Sequence, residues 1–132
     1  MDIENYQKMI VWQKAMDVVV ITYSLCRKLP KTELYALQNQ MKRAAVSIPS
    51  NIAEGQARNS DKEFIQFLAI AKGSRAELET QLILCTRLNY LAKSDITEVM
   101  SILEEISKML SALIKNLSSK KKLKLSTKNL AD

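Results

Sequence analysis

Ile96, Val99, Leu103, Ile106, Leu110, Leu113 and Leu117 follow one another at alternating steps of three and four. This spacing sets seven apolar side chains along one line of an α-helix, the seam of a helical bundle or coiled coil. A helix with such a line has to bury it against other helices. Met100, Ile102, Met109 and Ile114 lie off the seam and widen the apolar surface, so contacts are expected on more than one side. The helix is expected over residues 95–118, starting at Ser94 or Asp95 with Glu98 in its first turn.

The rest of the chain supplies three partners. The first helix is expected over 8–28, with Trp12, Ala15, Met16, Val19, Tyr23 and Cys26 at helical spacing and Val11, Val18 and Leu25 widening the stripe. Residues 1–7 read as polar and loosely docked. The β-branched run Val18–Thr22 favours a strand locally, but the apolar period on both sides is helical. Pro30 disfavours helical geometry at Leu29 and ends the helix. The second helix is expected over 32–54, with Thr32 as N-cap, and continues through Leu34, Leu37, Met41, Ala44, Ile48 and Ile52. Pro49 interrupts it at a cost of about 3 kcal/mol. A kink is expected there, because the apolar period keeps its register across the proline, with Ser47 and Ser50 satisfying freed backbone groups.

The corner between the second and third helices is legible residue by residue. Gly55 suits a left-handed helix C-cap. Ser60-Asp61-Lys62-Glu63 is a capping box, which opens a third helix over 60–88. Phe64, Phe67, Leu68, Ala71, Leu78, Leu82 and Cys85 form its core stripe. Gly73 sits in a thin middle section and predicts a close helix approach, since glycine costs a helix roughly 1 kcal/mol against alanine. Asn89 reads as the C-cap, with Tyr90 and Leu91 folding back.

Four helices with short connections predict an all-α, up-down-up-down antiparallel four-helix bundle over residues 1–118, followed by a flexible basic tail over 119–132. At 132 residues the chain forms one domain. No apolar run is long enough to cross a bilayer, and a cytoplasmic protein without a membrane partner is expected. Cys26 and Cys85 then read as buried free thiols.

The net charge of +6 is uneven. The tail carries five lysines and one aspartate, Lys120, Lys121, Lys122 and Lys124 among them, while the body holds fifteen basic and thirteen acidic residues. Residues 27–75 hold nine basic against four acidic side chains and form the positive half of the body. The absence of histidine removes Ser-His-Asp and Cys-His catalysis and argues against a ferritin-like di-iron site. No zinc-type cysteine cluster and no glycine-rich phosphate loop is present. Glu63, Glu77 and Glu79 alone are more typical of surface or interface positions than of a metal site. The chain is expected to be no enzyme and to hold no cofactor and no metal.

What remains is a polar stripe on the second helix, Gln40, Arg43, Ser47, Asn51 and Glu54, continued by Glu63, Glu77 and Gln81 on the third. It reads either as a structural network, within the chain or between subunits, with Arg43 paired to Glu54, Glu63 or Glu77, or as part of a phosphate-binding groove using Lys42, Arg43, Arg58, Lys62, Lys72 and Arg75. With Trp12 and both phenylalanines read as core, exposed aromatics are nearly absent, which argues against a base-stacking platform.

Several runs carry a resemblance: Lys42-Arg43-Ala44-Ala45-x-Ser47-Ile48-x-x-Asn51-Ile52-Ala53-Glu54-Gly55, Glu63-Phe64-x-x-Phe67-Leu68, and Ala71-x-Gly73-Ser74-x-x-Glu77-Leu78-Glu79-x-Gln81-Leu82. With Trp12 and Ala15, Leu37 and Gln40, Arg58, Ser60, and Leu88-x-Tyr90-Leu91, they resemble the four-helix-bundle proteins encoded by intervening sequences in bacterial 23S ribosomal RNA genes. They also look related to the accessory variability proteins of diversity-generating retroelements. The resemblance implies a homopentameric ring and, for the retroelement branch, association with nucleic acid and a reverse transcriptase. The function expected is therefore a non-enzymatic oligomer contacting the backbone phosphates of RNA or DNA without base specificity. The alternative is a ring that serves as a protein-interaction scaffold with no nucleic-acid role. The body is only +2, which shifts the phosphate contacts towards the tail.

Overall fold

The computed structural model describes residues 5–131, with side chains over residues 6–120. Among them every regular element is helical. A single helical turn at Asn5–Lys8 leads into α1 (Ile10–Cys26). A 3-10 turn at Lys31–Glu33 precedes α2 (Leu37–Gln56), and α3 (Asp61–Arg87) and α4 (Lys93–Ala131) follow.

Side-chain pairs between the helices fix their directions. Met41 meets Cys85 and Ser47 meets Ser74, so α3 runs against α2. Lys14 pairs with Glu105 and Lys28 with Asp95, so α4 runs against α1. Lys72 reaches Ser111 and Asp61 faces Lys120, which makes α3 and α4 antiparallel as well. Each helix lies beside its sequence neighbour and α4 closes on α1, giving the expected bundle. The α4 seam holds as far as Leu110, with Val99, Leu103, Ile106 and Leu110 fully buried against Met41, Ile48, Ile52, Leu68, Leu78 and Leu82. Leu113 and Leu117 are half-buried at the edge of the core.

The ends of the elements depart from the sequence reading for local reasons. Met9 adopts an extended conformation and splits the first helix, letting the Tyr6 ring pack edge-on against Trp12 at 5.4 Å. The core line of α1 is Val11, Ala15, Val18, Thr22 and Leu25, one position round from the expected stripe, so Met16 and Tyr23 face out. Thr32 caps nothing. The chain tightens into the 3-10 turn, and α2 starts five residues later, where the Glu33 carboxylate accepts the Leu37 N–H at 3.3 Å. Leu34 is left exposed. The helix passes through Pro49 unbroken. The serines do not serve the proline as expected: Ser47 turns its Oγ to Ser74 and the Asn51 amide, and among the described residues no hydrogen bond links Ser50 to a freed backbone group.

Gly55 is not a left-handed cap, since it lies inside α2 with no positive φ. A Cβ at this position would come within 2.7 Å of the Phe67 Cβ, so the glycine permits the close crossing of α2 and α3 at their corner. Gly73, where the close approach was expected, has nothing within 4 Å of a Cβ built on it. Ser60 caps α3 as read, accepting the Glu63 N–H at 3.2 Å, while its hydroxyl donates to the Glu63 carboxylate at 3.3 Å. Asn89 takes φ 61°, and the Tyr90 N–H reaches the Cys85 carbonyl at 2.9 Å, a Schellman closure. The last helix does not stop at Ser118 but carries helical backbone to Ala131, through the segment expected as a flexible tail.

Candidate functional site

The polar stripe divides in two. Its middle is satisfied within the chain: Ser47 Oγ lies 2.8 Å from Ser74 Oγ, and the Asn51 amide donates to Ser47 Oγ at 2.9 Å. Glu54 is taken by Arg58 at 2.8 Å, one helical turn on. The other part opens to solvent. Gln40, Arg43, Ala44, Ser47, Ser74 and Glu77 line a cleft of about 350 Å³ between α2 and α3. Arg43 is exposed there and makes no ion pair among the described residues, so the expected pairing with Glu54, Glu63 or Glu77 does not form. Glu77 instead accepts from the Gln81 amide at 3.3 Å. The Gln81 Oε1 is buried with no donor, and the Arg75 Nε is buried with no acceptor.

The six body cations expected to form a groove face different ways. Lys42 leans over the Tyr23 ring of α1, 5.1 Å from its centre. Arg43 lines the α2–α3 cleft. Arg58 stacks on Phe67 at 4.9 Å and is neutralised by Glu54. Lys62 is exposed in the first turn of α3. Lys72 donates to Ser111 on α4 at 2.9 Å, and Arg75 is tied to Glu79. Lys42 and Arg43 are brought together, but the set does not line one channel. Lys120 is exposed 3.9 Å from Asp61. The side chains of Lys121, Lys122 and Lys124 lie outside the described residues.

Beside the cleft runs a row that the sequence reading did not single out. Ile70, Gly73, Glu77, Leu84 and Leu88 recur at helical spacing on the outer side of α3, with Ile70 51%, Leu84 42% and Leu88 45% exposed. Their period is that of the buried stripe displaced round the helix. That apolar surplus, with Gly73 among it, was the available signal.

Chemically reactive groups are sparse. Cys26 and Cys85 are buried and free. Burial, with smaller contributions from Cys26 and Glu33, pushes the Cys85 thiol up to about 11. Its Sγ contacts the Met41 sulfur at 3.6 Å. Burial also raises the Cys26 thiol, against a smaller opposing effect of Lys42. Such thiols are poor nucleophiles at neutral pH. Among the described residues no three His, Cys, Asp or Glu side chains gather into a metal-holding group, and Glu63, Glu77 and Glu79 do not converge. No helix among the described residues is long and apolar enough to cross a membrane.

The family model described as 23S rRNA-intervening sequence protein matches residues 7–112. The chain belongs to this family. A crystal structure of a protein of unknown function from the S23 ribosomal protein family of Bacteroides thetaiotaomicron superposes with a TM-score of 0.75 at 28% identity. The match covers 80% of this chain and 99% of that one. Comparison with curated proteins returns no match. The family match runs from the N-terminal helical turn to Ala112, and so takes in α1, α2, α3 and the first half of α4.

Proposed function

We propose that this intervening-sequence protein is a non-enzymatic building block that assembles with copies of itself through the α2–α3 face and associates with nucleic acid through sequence-nonspecific phosphate contacts. The observation that carries the assembly is an Arg43 unpaired among the described residues and an exposed Glu77 lining one cleft, beside a row of exposed Ile70, Leu84 and Leu88 in which Gly73 leaves open space. A face that offers both a free cation and an exposed carboxylate is complementary to a second copy of itself. Gly73 weakens its helix without a compensating contact inside the chain, and a helix packed from outside supplies that compensation. The resemblance implies five copies in a ring, and a cytoplasmic location accords with this reading.

Support for nucleic acid comes from the net charge of +6 and the basic residues beyond Ser119, which a ring would multiply. The dispersal of the body cations favours the second reading, a scaffold ring that holds a protein partner and has no nucleic-acid role. A reverse transcriptase would be that partner if the retroelement relationship applies. Binding to labelled single- and double-stranded RNA and DNA across a salt series, with solution mass measured in the same buffer, separates the two. A linear fall of log affinity with log salt, carried by a multimer, is the expected result. A multimer that binds no nucleic acid at low salt leaves the scaffold.

A further inference from the structure

We propose that the end of the bundle formed by the α1–α2 and α3–α4 connections is a binding site for single-stranded nucleic acid, with the Tyr35 ring as stacking surface and Arg27, Lys31, Arg87 and Lys93 as phosphate contacts. The proposal rests on the nucleic-acid reading above and assigns it a place and a strand form.

Tyr35 is 91% exposed, the most exposed large hydrophobic side chain among the described residues. Its ring follows the 3-10 turn and extends from the end of the bundle, free to present a face to a planar ligand. Aromatics in this position take any base, because every base has a π-face. The two connections are joined into one surface: Lys28 bridges to Asp95 at 2.8 Å, and the Tyr90 hydroxyl donates to Glu33 at 3.2 Å.

These contacts also set the charge. Residues 27–36 and 87–95 hold five cations, Arg27, Lys28, Lys31, Arg87 and Lys93, against Glu33 and Asp95. Both carboxylates are already engaged, Glu33 by Tyr90 and the Leu37 N–H, Asp95 by Lys28 and the Ala92 N–H. Four cations are thus left without an ion pair among the described residues. The opposite corner, residues 54–63, has three acidic side chains, Glu54, Asp61 and Glu63, against Arg58 and Lys62. The end formed by the α1–α2 and α3–α4 connections is therefore positive and carries the exposed aromatic, whereas at the other end this acidic corner meets the lysine-bearing end of α4, where Lys120 faces Asp61. Leu34 and Leu88 flank it but keep more than half of their surface in the fold, so the end lacks the apolar wedge that entry into a lipid surface needs.

The test is fluorescence anisotropy with labelled oligo(U) and oligo(dT) and with a duplex of equal length, alongside cosedimentation with anionic vesicles. Tyr35 makes no hydrogen bond or ring contact among the described residues, so its variants should fold. Tyr35→Ala should weaken single-strand binding by about fivefold or more and leave duplex binding unchanged, while Tyr35→Phe retains both. Lys31→Ala should lower the slope of log affinity against log salt by about 0.7 on single strands. If the wild-type chain binds strands and Tyr35→Ala binds them equally well, the site is wrong and the nucleic-acid reading stands. If the wild-type chain binds no nucleic acid, both fall. Vesicle binding that is lost in Tyr35→Ala, with strand binding unaffected, assigns the patch to lipid and overturns the proposal.

Discussion

Both glycines lie inside helices, yet their surroundings call for opposite responses to the same substitution. At Gly55 a methyl group meets the Phe67 Cβ at 2.7 Å and the Phe64 backbone carbonyl at 3.3 Å, atoms that move only with α3 itself. Gly55→Ala should therefore destabilise the protein by about 1–3 kcal/mol in urea unfolding, despite the gain in helix propensity. At Gly73 the space is open, and Gly73→Ala should stabilise the protomer by about 1 kcal/mol. Equal signs for the two would contradict the packing described. Thr22 is a third informative residue, fully buried with a hydroxyl that has no partner. Thr22→Val removes an unmet polar group in nearly the same volume and should raise stability by about 1 kcal/mol. At this scale the sequence was partly readable. Composition and local spacing marked both glycines as special, but which one touches a neighbour depends on how α2 and α3 cross. Tyr35 was passed over for a related reason: a tyrosine between Pro30 and an apolar helix looks no different in sequence whether it folds inward or outward.

The elements follow from periodicity more securely than their ends do. The α4 seam was legible because seven regularly spaced apolar residues admit one face only. The start of α2 was not, because Pro30 and Glu33 divert five residues into a tighter turn, and Glu33 then serves Leu37 and Tyr90 together. The start of α4 is held by Asp95, whose carboxylate takes the Lys28 ammonium and the Ala92 N–H. These two partners, Lys28 first, hold its pKa below the ordinary carboxylate value. A depressed pKa contributes stability that is present above the unfolded value and lost as pH falls through the folded one. Asp95→Asn should therefore flatten the acid side of the stability–pH curve, measured by thermal melts at intervals from neutral pH downward, with little change in slope above neutral. Farther along α4, the 39-residue helix extends about 58 Å and outruns the 27-residue α3, about 40 Å long. The outermost described tie is the exposed Lys120–Asp61 pair, and such surface pairs contribute at most about 1 kcal/mol. Removing residues 119–132 should leave the melting temperature nearly unchanged while lowering affinity for polyanions; a truncated chain that binds as tightly as the full one would remove the C-terminal lysines from the account.

For the whole molecule, the antiparallel bundle follows from four amphipathic helices with short connections. Which outer face is meant to meet a partner is not a property of periodicity. The polar stripe was visible in the sequence, but its division became visible only when Ser47, Asn51 and Ser74 closed on one another and left Arg43 and Glu77 at an open cleft. The basic residues show the same limit. Nine cations between residues 27 and 75 look like one positive half, yet folding sends Arg43 to the α2–α3 cleft, Lys42 over Tyr23, Arg58 and Arg75 into ion pairs and Arg27, Lys28 and Lys31 to the end that carries Tyr35.

The proposed joining of copies of this chain through the α2–α3 face is open to direct measurement. It is tested most directly by the solution mass, from sedimentation equilibrium, of the wild-type protein, Arg43→Ala and Gly73→Leu, with helicity recorded by circular dichroism on the same samples. The wild type should have a mass that is a multiple of the 15.0 kDa protomer. Both variants should shift towards the single protomer with helicity retained. A wild-type mass of one protomer, or a multimer that both variants leave intact, would contradict assembly through this face.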